Sequence, residues 1–236
     1  MPQRKRASIG DSSHTPAFLF DLDGTLIDSV YQHVIAWREA LEETGLSLAV
    51  WRIHRRIGMS GGLLVQALGR EIGRKITKKQ AQELQDRHAE VFKRYRGKIE
   101  PLPGAPELLA YLSKVNVLYA IATSGTPEGT DKVFQALGLR PEIPVITRRQ
   151  VERAKPDPDL FLAAAASLNV SIAKAVVVGD SVWDLLAARR AGCLGIGLLS
   201  GGYGREELQE AGAYRVYQDP ADLLLHLDEV GVRGTD

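Results

Sequence analysis

Four apolar residues in succession, Ala17-Phe18-Leu19-Phe20, run straight into Asp21-Leu22-Asp23-Gly24-Thr25. A strand with one wet face alternates apolar and polar side chains, so an unbroken apolar run specifies a strand covered on both faces. The same signature returns at 117–122, which ends in Thr123-Ser124-Gly125, and at 175–178, which ends in Gly179-Asp180. A fainter run at 143–146 sits beside Pro141 and Pro144, a further one lies at 194–198, and 214–216 offers a short edge. Helical stripes fall between them, marked by Leu108, Leu109 and Leu112, by Val133, Phe134 and Leu137, and by apolar residues within 160–168, 185–191 and 221–230. Alternation of strand and helix predicts an α/β chain: a Rossmann-like, open parallel sheet with helices on both faces.

One stretch breaks the alternation. From about residue 30 to 97 only helical periodicity is found, with Val30, Val34, Trp37 and Leu41 on one stripe that Gly45 closes. A second long helix is predicted over 76–95, with Thr77 as its N-cap. Residues 30–98 are therefore expected to form a helical insertion, with 16–29 and 99–236 making the sheet domain and 1–15 a flexible polar tail. Arg4, Lys5 and Arg6 in that tail are followed by polar residues rather than an apolar stretch, which argues against a signal peptide. No apolar run reaches the roughly 18 residues of a membrane-spanning helix. A formal net charge of +1 gives no field for nucleic acid or an anionic membrane, and the single cysteine, Cys193, excludes an internal disulfide. A cytoplasmic setting is expected.

In open α/β sheets ligands bind beyond the carboxyl ends of the strands, and the polar residues converge there. Strand ends supply Asp21 and Asp23, then Thr123 and Ser124, then Asp180 and Asp184, while the loop after the third run supplies Lys155 in Ala154-Lys155-Pro156-Asp157-Pro158. Carboxylates gathered at one edge repel one another, and a hard divalent cation that accepts oxygen ligands, Mg²⁺, relieves them. The metal and Lys155 supply positive charge for a phosphate dianion, and Thr123 and nearby backbone N–H groups supply hydrogen bonds. Asp21 is then placed to attack phosphorus, and Asp23 to protonate the leaving oxygen and deprotonate water. Gly24 lets the chain turn sharply past the site.

These four segments, in this order, resemble the four motifs of the haloacid dehalogenase superfamily. The likeness covers the chain from Ala17 to Leu227, and the insertion resembles the helical cap of the branch that holds phosphoglycolate phosphatases and β-phosphoglucomutases. The resemblance implies a five-stranded parallel core, a mobile α-helical cap and Mg²⁺. It makes Asp21 nucleophile and metal ligand, Asp23 the acid/base and, through its carbonyl, a further metal ligand. Asp180 becomes the second carboxylate ligand, and Asp184 a ligand directly or through water. Thr123, the Ser124 N–H and Lys155 would hold the phosphoryl group.

Each residue also has a plainer reading. Thr123 fits a cap on local backbone, as strand-end hydroxyls often make, Asp184 suits a helix cap, and Trp183 between the two carboxylates suits packing. His33, four residues before Trp37, fits equally a packed interface or a substrate contact, and His88 reads as a solvated helix face. Residues 55–62, Arg55-Arg56-Ile57-Gly58-Met59-Ser60-Gly61-Gly62, read as a cap loop in which Arg56 meets a substrate anion. Gly201-Gly202-Tyr203-Gly204 reads as a flexible turn.

Within the family, Asp23 argues for phosphoryl chemistry, because dehalogenases lack a carboxylate there. Two features favour hydrolysis over a β-phosphoglucomutase-like mutase: Gly179 where the mutase has Glu, and Gly61 where it has an arginine. A non-catalytic binding protein would be expected to lack Asp21 or Asp180, and both are present. A small phosphorylated metabolite is the expected partner, with phosphoglycolate, sugar phosphates, nucleotides and biosynthetic intermediates all open.

Overall fold

The computed structural model describes residues 15–125 and 131–232. The expected tail and its basic residues lie outside them, Thr15 excepted. Strands β1 (Ala17–Phe20), β2 (Tyr119–Thr123), β3 (Val145–Thr147), β4 (Ala175–Gly179), β5 (Leu194–Leu198) and β6 (Ala213–Tyr217) form one sheet in the order β3-β2-β1-β4-β5-β6. All neighbouring pairs are parallel. The core thus has six strands rather than five, because the edge foreseen at 214–216 pairs along its length with β5.

The consecutive apolar run of β1 is accounted for by two separate cores. Phe18 and Phe20 face one cluster with Leu108, Leu109, Leu112 and Leu223, while Ala17 and Leu19 face another with Leu160, Phe161 and Ala164. With four helices of the insertion, α1 (Val30–Glu43), α2 (Val50–His54), α3 (Gly61–Glu71) and α4 (Lys78–Arg96), preceding them in the chain, the covering helices are α5 (Ala105–Lys114), α6 (Asp131–Ala136), α7 (Asp159–Ser167), α8 (Val182–Ala191), α9 (Arg205–Ala211) and α10 (Pro220–Leu225).

Helices α1 to α4 bury a cluster of their own around Val34, Trp37, Leu41, Ile53, Leu64 and Leu84. Thr77 caps α4 as expected: its hydroxyl accepts from Gln80 N, and Gln80 returns to the Thr77 backbone. The two chain crossings between this helical cap and the sheet are tied to each other. Asp28 N donates to Glu100 O at 3.0 Å, and Leu102 N donates to Leu26 O at 2.9 Å.

Three local expectations differ. Gly61 and Gly62 open α3 rather than belonging to a loop, which leaves the connection from α2 shorter than predicted. α9 had no strong stripe to announce it. The helix expected over 221–230 stops at Leu225, because His226 Nδ1 takes the Asp222 carbonyl at 2.8 Å, the acceptor that a helical N–H of residue 226 would use.

Candidate active site

The site lies where the sheet's winding reverses, at the carboxyl ends of β1 and its neighbours β2 and β4. Strand β1 delivers Asp21 directly, and the turn that follows carries Asp23 and Gly24, the latter at φ +82°. Strand β2 ends on Thr123, and β4 ends on Gly179, so that Asp180 stands beside Asp21. Asp184 enters from the first turn of α8, where its Oδ2 accepts from Ser181 N at 3.1 Å and Ser181 Oγ at 2.5 Å. Asp184 is thus a helix cap, as the plainer reading held, but its other oxygen is turned inward. Oδ1 lies 2.8 Å from Lys155 Nζ, a buried ion pair.

Lys155 is fully buried and also donates to Asp21 Oδ1, with the Phe161 ring 5.0 Å beneath its ammonium. Burial opposes its charge, and the Asp184 and Asp21 carboxylates overcome that, holding the amine above its ordinary value. Burial also pushes Asp21 up to about 7, against the pull of Lys155 and with Asp184 and Asp23 adding to the rise. Asp180, which accepts from Thr25 Oγ1 at 3.1 Å, is raised well above the usual carboxylate range by burial and then by Asp184 and Asp21.

This electrostatic imbalance is the test of a metal. Carboxylate oxygens of Asp21, Asp180 and Asp184 all lie within 4.8 Å of one another and all three residues are buried. Among the described residues Lys155 is the ammonium that touches these carboxylates, so ionising all three would leave two negative charges uncompensated. A divalent cation matches that deficit, and a set made only of oxygen donors suits a hard ion.

Asp23 differs. Its Oδ1 accepts from Ser29 Oγ at 2.6 Å and meets His33 Nε2 at 3.2 Å, and its Oδ2 accepts from Thr123 Oγ1 at 3.5 Å. Burial would raise this carboxyl, but the His33 charge and the His33 and Ser29 hydrogen bonds outweigh it and hold the group down at about 2. Two adjacent aspartates are therefore pushed apart by their surroundings, a pattern that separates catalytic roles elsewhere.

A cavity of about 820 Å³ opens above these groups, between the strand ends and the cap. Asp21, Asp23, Thr123, Ser124 and His33 all line it. Thr123 Oγ1 accepts from Gly125 N at 3.0 Å, so it caps local backbone while facing the cavity. Arg56 is not brought to the site. It is absent from the cavity lining, and its guanidinium lies 3.6 Å from Glu71 Oε2 on α3. His88 corrects the solvated reading: its ring stacks on Trp37 at 4.2 Å, and its Nε2 lies 3.1 Å from His33 Nδ1. His33 itself stacks on Phe92 at 3.8 Å rather than on Trp37. The sequence held a signal for this, since His33 and Trp37 on α1 and His88 and Phe92 on α4 are both spaced by four and present matching faces.

Residues 15–192 match the family model described as haloacid dehalogenase-like hydrolase. The chain belongs to the haloacid dehalogenase-like hydrolases. Among relatives of this hydrolase, a phosphoglycolate phosphatase of Rhodospirillum rubrum is 33% identical over 222 residues, covering 88% of each chain. A β-phosphoglucomutase of Bacillus subtilis is 29% identical over 219 residues, covering 89% of this chain and 92% of its own. A crystal structure of a hydrolase from Pseudomonas syringae superposes with a TM-score of 0.89 at 52% identity, covering 92% of this chain and 100% of that one. No helix among the described residues is long and apolar enough to cross a membrane.

Proposed function

We propose that this hydrolase is a Mg²⁺-dependent phosphatase that cleaves a small phosphate monoester through an aspartyl-phosphate on Asp21. Residues 30–98 act as its cap and 16–29 with 99–236 as its catalytic core. The observation that carries the reading is the convergence of Asp21, Asp180, Asp184 and the buried Lys155 under one cavity, with Asp23 beside them in an opposite electrostatic setting. Asp21, Asp180, Asp184 and the Asp23 carbonyl would hold the ion. Once bound, Mg²⁺ supplies positive charge that keeps Asp21 ionised and offsets the phosphate's charge.

The chain's own residues perform the chemistry. An Asp21 oxygen attacks phosphorus, the ester P–O bond breaks, and the leaving alkoxide takes a proton from Asp23. Water then attacks the aspartyl-phosphate and gives a proton to Asp23, which frees phosphate and restores Asp21. A phosphate dianion arriving beside Asp23 raises the low pKa of its carboxyl, so the group can carry a proton for the first step. Lys155 and the hydroxyl of Thr123, with the Ser124 N–H, hold the phosphoryl oxygens.

Transfer to a sugar rather than to water, as in the mutase, is disfavoured by Gly179. A Cβ there would overlap the Cβ of Asp184 and come 2.5 Å from its Cγ, so a glutamate at this position is incompatible with Asp184 as it stands.

Turnover of p-nitrophenyl phosphate with Mg²⁺, compared with EDTA, tests the proposal. Activity should need the metal, and Asp21→Asn should abolish it while circular dichroism shows the fold retained. Metal-independent turnover, or activity surviving Asp21→Asn, would overturn it.

A further inference from the structure

The cap is held to the core at one place by contacts that the chemistry above does not use. Arg55 is the C-cap of α2, where a helix leaves its last carbonyls without internal partners. Its carbonyl accepts from Trp183 Nε1 at 3.3 Å and from Tyr203 Oη at 3.2 Å, donors on the first turn of α8 and on the loop before α9. Its guanidinium lies 4.6 Å over the Tyr203 ring and pairs with Glu207 on α9. One residue before it, His54 Nε2 meets Gly201 O at 2.8 Å. Three residues after it, Gly58 O accepts from Ser124 Oγ at 3.1 Å.

Backbone conformation adds an independent constraint. Gly58 has φ +93°, and a Cβ there would lie 2.7 Å from Ser181 Oγ and 3.3 Å from Trp183 Cδ1. The cap chain therefore touches the core at backbone distance, which only glycine permits at this φ.

We infer that Arg55, with its receptors Trp183, Tyr203 and Glu207, forms a clasp that holds the cap closed, and that these are positioning residues for the reaction. The clasp suits a contact made and broken in each cycle. Its contacts are mainly polar, side-chain exposure is 32% for Arg55 and 39% for Glu207, and among the described residues the buried apolar clusters of cap and core stay separate here. Its receptors are also placed to sense the site. Trp183 sits between Asp180 and Asp184 in the chain, and Ser200, just before Gly201, donates to Gly24 O at 2.6 Å beside the catalytic turn. Closing the clasp brings Gly58 over Ser124, which narrows the cavity above the phosphoryl site.

Its activity arm rests on the phosphatase reading; its distance arm does not. In a Cys193→Ser chain, Lys79→Cys on α4 and Lys174→Cys at the base of β4 carry spin labels for pulsed distance measurement. The chain with Arg55 intact should give one narrow distribution. Arg55→Ala should broaden it toward longer distances, and Arg55→Lys, which keeps the pair with Glu207, should restore part of it. With p-nitrophenyl phosphate, Arg55→Ala and Tyr203→Phe should raise KM more than they lower kcat. For Arg55→Ala the loss in kcat/KM is expected to be about tenfold, from a half-exposed ion pair, a cation–π contact and their ordering.

Unchanged distances in Arg55→Ala would overturn the clasp. So would a lower melting temperature without any change in distances or KM, since that marks a structural role alone. If the parent chain turns over no phosphate ester, the phosphatase reading fails while the distances still decide the clasp.

Discussion

Asp180 is destabilised where it stands. It is buried, and beyond burial the largest influences on it are two other carboxylates. Asparagine keeps its shape and can still accept from Thr25, but removes one like charge from a cluster that Lys155 only partly balances. Asp180→Asn is therefore expected to raise the melting temperature in EDTA, by an amount worth about 1–3 kcal/mol, and to abolish both the Mg²⁺-dependent stabilisation and turnover. Thermal melts of both chains with EDTA and with Mg²⁺ check this; a variant less stable than the parent in EDTA would contradict it. Gly179→Ala addresses the same cluster sterically: its new methyl group overlaps Asp184, so about 1–3 kcal/mol of stability and most activity should be lost. The aspartates were legible in the sequence because each is polar and ends an apolar run, or follows one by a few residues. Arg56 was not, because a long guanidinium finds its partner in three dimensions, and here that partner is Glu71 on α3.

Strands and helices were legible for a related reason. A run such as 17–20 must be covered on both faces, and the helical stripes supply the two covers. What the pattern left out was α9, too short for a clear stripe, and the break after Leu225, decided by one histidine ring. Pairing of α1 with α4 was signalled only by the matching spacing of four on each helix, and it makes a further prediction. His88 lies between Trp37 and His33, and burial, with the neighbouring His33 charge, holds its pKa well below the ordinary 6.5. As pH falls through that ordinary value, the unfolded chain takes up a proton that the folded chain refuses. Stability from this group is thus complete above about 6.5 and declines toward acid, by up to about 1.4 kcal/mol per pH unit. His88→Phe keeps a ring against Trp37 and removes the titration. Its melting temperature should fall less than the parent's between about pH 7.5 and pH 5.5; equal falls would show that His88 does not drive the acid loss.

The molecule as a whole is built from cores that do not merge. The cap buries Trp37, Leu41, Ile53 and Leu64 in one cluster, and the sheet buries its own residues in others. Between them stand two crossings hydrogen-bonded to each other, the His33–Asp23 contact and the Arg55 seam. A body with its own core, joined through few polar contacts, moves as a unit rather than by deforming. Occupation of the phosphoryl site should therefore protect the seam and leave both interiors alone. With Mg²⁺ and BeF₃⁻, a mimic of a phosphoryl group on a carboxylate, amide hydrogen exchange is expected to slow over residues 54–60 and 199–204. Amides within α4 near Leu84 and Val91, and those of β1, already lie in closed cores and should exchange at unchanged rates. Uniform slowing across cap and sheet would instead mean that the ligand stabilises the whole fold without moving one part against the other. That result would remove the physical basis for a cap that opens and closes as a rigid body.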